Sequence, residues 1–280
     1  MRMIVIMLGV CASLSSAALA QQRVVSVGGD LTEIIYALGE EDRLVATDST
    51  SLYPDAAIDT PKVGYVRRLS AEGVLSVEPD MILVSGAAGP DTAVEQLEAS
   101  GVTMIALPTD YTPISILNKV DAIGQAFGVV DAATSLREQI ERDIERSQAS
   151  VDALGMSPRI LFISFNTSGA PQAAGKKTAA HGVIEMLGGE NVFGGEFGYK
   201  ALSLEAAVAA DPDIILAMNH QLDRAGGIEG IRQHPALQLT TAASEGRVMG
   251  IDAVTIMQFG PRTPEAVAEL AADMASKLTN

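Results

Sequence analysis

Two stretches of this chain repeat one another in a fixed register, and that repeat constrains the fold more than any other feature. Leu69-Ser70-Ala71-Glu72-Gly73-Val74 matches Leu202-Ser203-Leu204-Glu205-Ala206-Ala207 at an offset of 133 residues. At the same offset Pro79-Asp80-Met81-Ile82-Leu83-Val84 matches Pro212-Asp213-Ile214-Ile215-Leu216-Ala217. Two motifs that hold one register imply one structural plan used twice, with Glu72 and Glu205 presented at matching places. A chain of 280 residues that is 48 % hydrophobic has enough apolar material to build a core in each copy.

Within each copy, strand and helix patterns alternate. Val24–Val27, Leu44–Thr47, Met81–Val84 and Thr103–Leu107 read as short buried strands. Between them, helices are expected over 30–38, with Asp30 as cap and Gly39 as stop, over 69–77 and over 91–100. The second copy gives strands at 159–164, 214–218 and 247–251, and helices at 178–187, 202–210 and 264–278. Alternation of this kind predicts an α/β fold of parallel-type sheets with helices on both faces. Residues 132–154 contain no Gly or Pro, and Leu136, Ile140, Ile144 and Val151 recur near the helical period. Twenty-three helical residues make a rod of roughly 35 Å. The expectation is therefore two lobes, 21–112 and 157–280, joined through a connecting segment, 113–156, that carries one long bridging α-helix. A rod of that length favours small flexing of the cleft over wide opening.

The first twenty residues read as a secretory signal peptide. Arg2 precedes an apolar run from Ile4 to Ala12, and Ala18-Leu19-Ala20 is a small-x-small cleavage site. The run is too short to span a bilayer, and Cys11 is badly framed for lipoprotein processing, so a soluble exported protein is expected. Cleavage removes the chain's one Cys and takes the net charge from −16 to −17. A surface that acidic has no basic face with which to displace phosphate counterions, so nucleic acid is not an expected partner. A single Cys excludes a disulfide framework and a multi-thiolate metal site. Neither G-x-S-x-G nor H-E-x-x-H occurs, and Gly175-Lys176-Lys177-Thr178 lacks the upstream Gly of a phosphate loop, since position 170 is Ala. Three unclustered His do not make a zinc or manganese site. No enzymatic activity is expected.

One stretch carries a more specific signal. Gly64-Tyr65-Val66-Arg67-Arg68-Leu69-Ser70-Ala71-Glu72-Gly73-Val74-Leu75-Ser76 resembles the signature of periplasmic haem-binding proteins of bacterial haem ABC importers. The stretches 173–180, 225–230 and Phe259-Gly260-Pro261-Arg262-Thr263-Pro264 resemble the same group. The broader group also holds cobalamin and ferric-siderophore carriers and shares two α/β lobes bridged by a long helix. The resemblance implies a monomeric carrier in the periplasm. Its transported ligand would be haem b, and its partners an ABC permease and its ATPase in the inner membrane. The alternative cargoes are cobalamin, whose sites in related carriers lean on Trp, absent here, and a ferric siderophore.

The chemistry of Tyr65 can be argued from the residues. Ferric haem accepts a phenolate as axial ligand. Tyr ordinarily titrates near pH 10, so a phenolate at neutral pH needs ferric iron and a neighbouring guanidinium. The resemblance sets Arg67 against the phenolate oxygen. In an extended loop, alternate residues share a side, so Tyr65 and Arg67 would converge and Arg68 would point elsewhere. The residues alone also allow a half-buried loop aromatic with two surface arginines. Some members of the group add a His just after the first strand of the second lobe, but Ser164–Gly169 contains none, which leaves a sixth iron ligand open. His220, after the strand 214–218, lies where ligands gather in open α/β sheets and is a candidate contact. His181 and His234 read as structural or surface residues. Haem propionates need cations, and Arg67, Arg68, Lys176 and Lys177 form the available cluster. The resemblance assigns Glu72 and Glu205 to docking on basic residues of the permease, a pseudo-two-fold carrier on a two-fold partner. Each is also an ordinary first-turn Glu behind a Ser.

Overall fold

The computed structural model describes residues 22–279. The signal peptide expected over 1–20, with Arg2 and Cys11, lies outside these residues. Among the described residues the chain forms two large sheets flanked by helices, as the α/β reading requires, and one two-stranded hairpin. The first sheet is parallel throughout, in the order Leu44–Thr47, Val24–Val27, Met81–Ser85, Thr103–Leu107. The central strands Val24–Val27 and Met81–Ser85 are buried along their whole length, as expected when helices cover both faces.

The second sheet is parallel at its centre and adds antiparallel strands at one edge. Its order is Tyr199–Ala201, Pro171–Ala174, Arg159–Phe165, Ile214–Met218, Val248–Ile251, and Glu190–Asn191 pairs with Arg159–Phe165. The strands Pro171–Ala174 and Tyr199–Ala201 run antiparallel to their neighbours. A connection as short as 166–170 can only fold back as a hairpin. Asn166 builds its turn, the side-chain Oδ1 accepting from the backbone N–H groups of Ser168 and Ala170 at 2.9 and 3.0 Å.

The connecting segment holds two helices, Pro113–Phe127 and Val130–Asp152. The first starts at a Thr112–Ser115 capping box and stops at Gly128, which takes the left-handed conformation. The second is the bridging rod, beginning two residues earlier than its sequence pattern suggests. Gly124 lets the two helices touch, because a Cβ there would stand 2.2 Å from that of Ala133. One apolar cluster runs from Val24 and Leu83 through Ile123, Ala133 and Ile140 to Ile160, Phe162 and Met274. Both lobes are therefore fused to the rod by continuous hydrophobic packing.

Polar contacts add to that fusion. Asp30 does not cap its helix, which runs Gly29–Ala37 with Gly28 as cap. Its carboxylate instead accepts from the buried Lys119 Nζ at 2.6 Å, and the same ammonium donates to the Phe259 carbonyl at 2.9 Å. Glu33 accepts from Arg262 Nη2 at 3.0 Å and from the Arg262 backbone N–H at 3.1 Å. The Arg262 guanidinium lies 3.3 Å from the centre of the Tyr53 ring, and Gln258 Nε2 donates to the Thr50 carbonyl at 2.9 Å. Residues 258–262 thus strap the second lobe to the first. The helices expected over 69–77 and 202–210 start later, as Ala71–Leu75 and Leu204–Ala210, because Ser70 and Ser203 serve as their N-caps.

Candidate functional site

A cleft of about 920 Å³ opens between the lobes, at the upper end of the range for small-molecule sites. Its walls come from the carboxyl ends of parallel strands in both sheets: Gly28 and Ser85 on one side, Ser164 and Met218 on the other. Tyr65, Arg67 and Lys177 also line it.

Tyr65 sits on a tight hairpin rather than in an extended loop. Gly64–Tyr65 pairs antiparallel with Arg68–Leu69, Val66 and Arg67 forming the turn. Val63, Val66 and Leu69 are buried, which fixes the hairpin to the lobe. Its backbone is tied on both flanks. The Gly64 carbonyl accepts from the Ser49 N–H at 2.8 Å, and the Leu69 N–H donates to the Gly89 carbonyl at 2.8 Å. Gly64 has φ 116°, a conformation that other residues rarely adopt. The Tyr65 ring is left 40 % exposed on this frame, facing the cleft.

The hairpin changes how the arginines are shared. Tyr65 and Arg68 are directly opposite cross-strand partners, and the Arg68 guanidinium stands 5.9 Å from the centre of the Tyr65 ring. Arg67, at the turn, also lines the cleft, and its positive charge acts on two other tyrosines there, Tyr111 and Tyr199. Burial raises the pKa of both phenols, and Arg67 opposes that rise in each. Tyr111 is held edge-on to Phe259, ring centres 5.4 Å apart. Among the expected cations, then, Arg67 and Lys177 reach the cleft, while Arg68 and Lys176 lie beside its lining residues.

Lys176 and Lys177 occupy a loop locked to residues 196–198. The Gly175 N–H donates to the Gly198 carbonyl at 2.8 Å and the Lys176 N–H to the Glu196 carbonyl at 2.7 Å. A Cβ on Gly175 would lie 2.3 Å from the Glu196 carbonyl oxygen, so the close approach needs glycine. Lys177 Nζ stands 5.8 Å from the centre of the Phe197 ring. His220 is exposed on the short helix Asn219–Arg224 and is absent from the cleft lining, to which its neighbour Gln221 contributes. His181 meets Asn191 Nδ2 through Nδ1 at 3.1 Å, and the His234 ring packs against Phe165. No group of three or more His, Cys, Asp or Glu suited to a metal ion occurs among the described residues.

Glu72 and Glu205 are both exposed and both sit in the first turn of a Ser-capped helix. A backbone N–H, and after it the Ser203 hydroxyl, holds the Glu205 carboxyl below the usual carboxylate range, so it is ionised at neutral pH.

Tyr111 and Tyr199 escaped the sequence reading. For Tyr199 a signal existed: Gly198-Tyr199 precedes Leu202-Ser203-Leu204-Glu205 as Gly64-Tyr65 precedes Leu69-Ser70-Ala71-Glu72, one residue out of the 133-residue register.

A family model described as periplasmic binding protein matches residues 24–255. Among solved structures, the periplasmic heme-binding protein BhuT in complex with two hemes aligns with a TM-score of 0.84 at 38 % identity. The alignment covers 92 % of this chain and 99 % of BhuT. The periplasmic heme-binding protein RhuT from Roseiflexus sp. RS-1, in apo form, aligns with a TM-score of 0.84 at 34 % identity, over 91 % of this chain and 99 % of RhuT. The vitamin B12-binding protein of Vibrio campbellii (strain ATCC BAA-1116) is 26 % identical over 214 residues, 73 % of this chain and 74 % of that protein. These relatives are binding proteins rather than enzymes. With a family match across most of its length and a solved relative at 38 % identity, the chain belongs to the periplasmic binding protein family.

Proposed function

We propose that this protein captures haem in the inter-lobe cleft through Tyr65 and delivers it to an ABC permease. The observation that carries the reading is the presentation of Tyr65. A rigid hairpin, tied by backbone hydrogen bonds on both flanks, holds a part-exposed phenol at a cleft large enough for a macrocycle. Ferric iron converts such a phenol to a bound phenolate, with its proton leaving to solvent. Arg67 and Lys177 supply positive charge for the propionates in a chain that is otherwise strongly acidic. Two relatives above 30 % identity are named as heme-binding proteins, which supports haem as the cargo.

The remaining parts of the reading follow from it. Residues 1–20 direct export to the periplasm and are removed. The lobes run over 21–112 and 157–280 about the segment 113–156. Glu72 and Glu205, one on each lobe, dock a monomeric carrier onto basic residues of a two-fold permease, which works with its ATPase. Exposed ion pairs are individually weak, which suits a carrier that must also leave.

Cobalamin is the second reading, favoured by the relatives named as vitamin B12-binding proteins. An absorbance titration of the mature chain with hemin, cyanocobalamin and a ferric siderophore separates the cargoes. Saturable hemin binding with a ferric phenolate spectrum is expected. Saturation by cyanocobalamin with no response to hemin would overturn the haem assignment.

A further inference from the structure

We propose that Tyr199 is a second iron-binding phenol of the cleft, the second lobe's counterpart of Tyr65. The inference rests on the haem reading above and adds a residue that neither the family signature nor the 133-residue repeat assigns.

The internal repeat extends further than its register suggests. Gly-Tyr precedes Leu-Ser-x-Glu in both lobes, with one residue fewer between them in the second. The structure supports the likeness at several positions, with Tyr65 on a two-stranded hairpin and Tyr199 on the edge strand of the second sheet. Gly64 and Gly198 both take positive φ, at 116° and 69°. Each Tyr lies in a short strand, Gly64–Tyr65 or Tyr199–Ala201, and each lines the same cleft. Leu69 and Leu202 are both 6 % exposed and pin the segment to its lobe. Ser70 Oγ accepts from the Gly73 N–H at 3.3 Å, and Ser203 Oγ accepts from the Ala206 N–H at 3.2 Å. The two tyrosines keep similar exposure, 40 % for Tyr65 and 36 % for Tyr199. Both phenols are part-exposed at the cleft.

The missing residue falls where the first lobe has its arginine turn. The second lobe reads Tyr199-Lys200-Ala201 where the first reads Tyr65-Val66-Arg67-Arg68. Tyr199 therefore has no arginine from its own segment, and the nearest guanidinium on the cleft wall is Arg67 of the opposite lobe, which lines the same cleft. On binding, the Tyr199 O–H bond breaks, an Fe–O bond forms and the proton passes to solvent, with no change in iron oxidation state. A ferric porphyrin core carries one positive charge. One phenolate neutralises it, and a second phenolate leaves a negative charge that Arg67 offsets. Tyr111 is a poorer candidate, because its ring is packed edge-on against Phe259 and its backbone is pressed against Gly182.

The test uses the mature chain, Tyr65→Phe, Tyr199→Phe and the double variant, each titrated with hemin. Resonance Raman excitation into the phenolate-to-iron band reports the ligand, and thermal melts report folding. The expected result is that Tyr65→Phe binds hemin about tenfold or more weakly yet keeps phenolate modes, and that the double variant loses them. Tyr199→Phe alone should speed hemin transfer to apomyoglobin about fivefold or more, a readout that stands if the double variant fails to fold. Loss of all phenolate modes in Tyr65→Phe, or their survival in the double variant, would overturn the assignment of Tyr199 while leaving haem binding intact. Absence of phenolate modes in the unaltered chain would overturn the Tyr65 reading and this inference with it.

Discussion

The joint formed by Lys119, Asp30 and Phe259 carries a quantitative prediction about how the lobes hold together. Lys119 and Asp30 keep only 2 % and 6 % of their side-chain surface, and their contact at 2.6 Å joins the helix Pro113–Phe127 to the helix Gly29–Ala37. The third member, the Phe259 carbonyl, belongs to the strap from the second lobe. Lys119→Met keeps the length and bulk of the side chain while removing its charge. Asp30 is then a buried carboxylate with no cation, and the Phe259 carbonyl loses a donor. Breaking one side of a buried pair costs about 3–5 kcal/mol. Asp30 lies in the first turn of its helix, where the helix dipole returns about 1 kcal/mol. The net loss is about 2–4 kcal/mol, a fall in Tm of roughly 4–16 °C for a chain of this size. Differential scanning calorimetry of the mature chain measures it directly. Lys119→Met/Asp30→Asn removes both charges and should recover more than half of the loss, which a double-mutant cycle quantifies. A single variant within about 0.5 kcal/mol of the parent, or a double variant no better than the single, would refute the reasoning.

Three further outcomes are expected. Burial dominates at Glu33 and raises its pKa despite the hydrogen bonds from Arg262. A raised carboxyl contributes stability that is full below the ordinary Glu range and is lost as pH rises through the folded value. The stability of the parent relative to Glu33→Gln should therefore decline across that interval in urea titrations; a rise would contradict the burial argument. Glu72→Ala and Glu205→Ala should leave the hemin affinity unchanged while lowering haem-stimulated ATP hydrolysis by the reconstituted permease, and a loss of hemin affinity would count against docking. Gly175→Ala should lower Tm, because its Cβ meets the Glu196 carbonyl oxygen at 2.3 Å; an unchanged melt would show that the 175–177 loop is free to move.

The parts of the fold legible in the sequence are those set by local periodicity. The bridging helix declared itself through twenty-three residues free of Gly and Pro, and the buried parallel strands through their β-branched and aliphatic runs. The antiparallel strands Pro171–Ala174 and Tyr199–Ala201 were invisible because Pro, Gln, Ala and Lys carry no strand signal; their pairing comes from the Asn166 turn and the sheet edge. Asp30 reads as a helix cap from its neighbours alone, and only the fold brings Lys119, 89 residues away, within reach of it. At the site, Gly-Tyr-x-Arg singled out Tyr65, but two-residue strands are too short to read as a hairpin. The pairing of Tyr65 with Arg68 follows from that turn. Tyr199 was hidden by a single-residue shift within the repeat.

The most direct test of the account is a hemin titration of the mature chain beside its Tyr65→Phe variant, followed by absorbance in the phenolate-to-iron region. The account predicts tight, saturable binding with a ferric high-spin phenolate spectrum, and an affinity lower by about tenfold or more once the Tyr65 hydroxyl is removed. Identical spectra and affinities for the two proteins would contradict it.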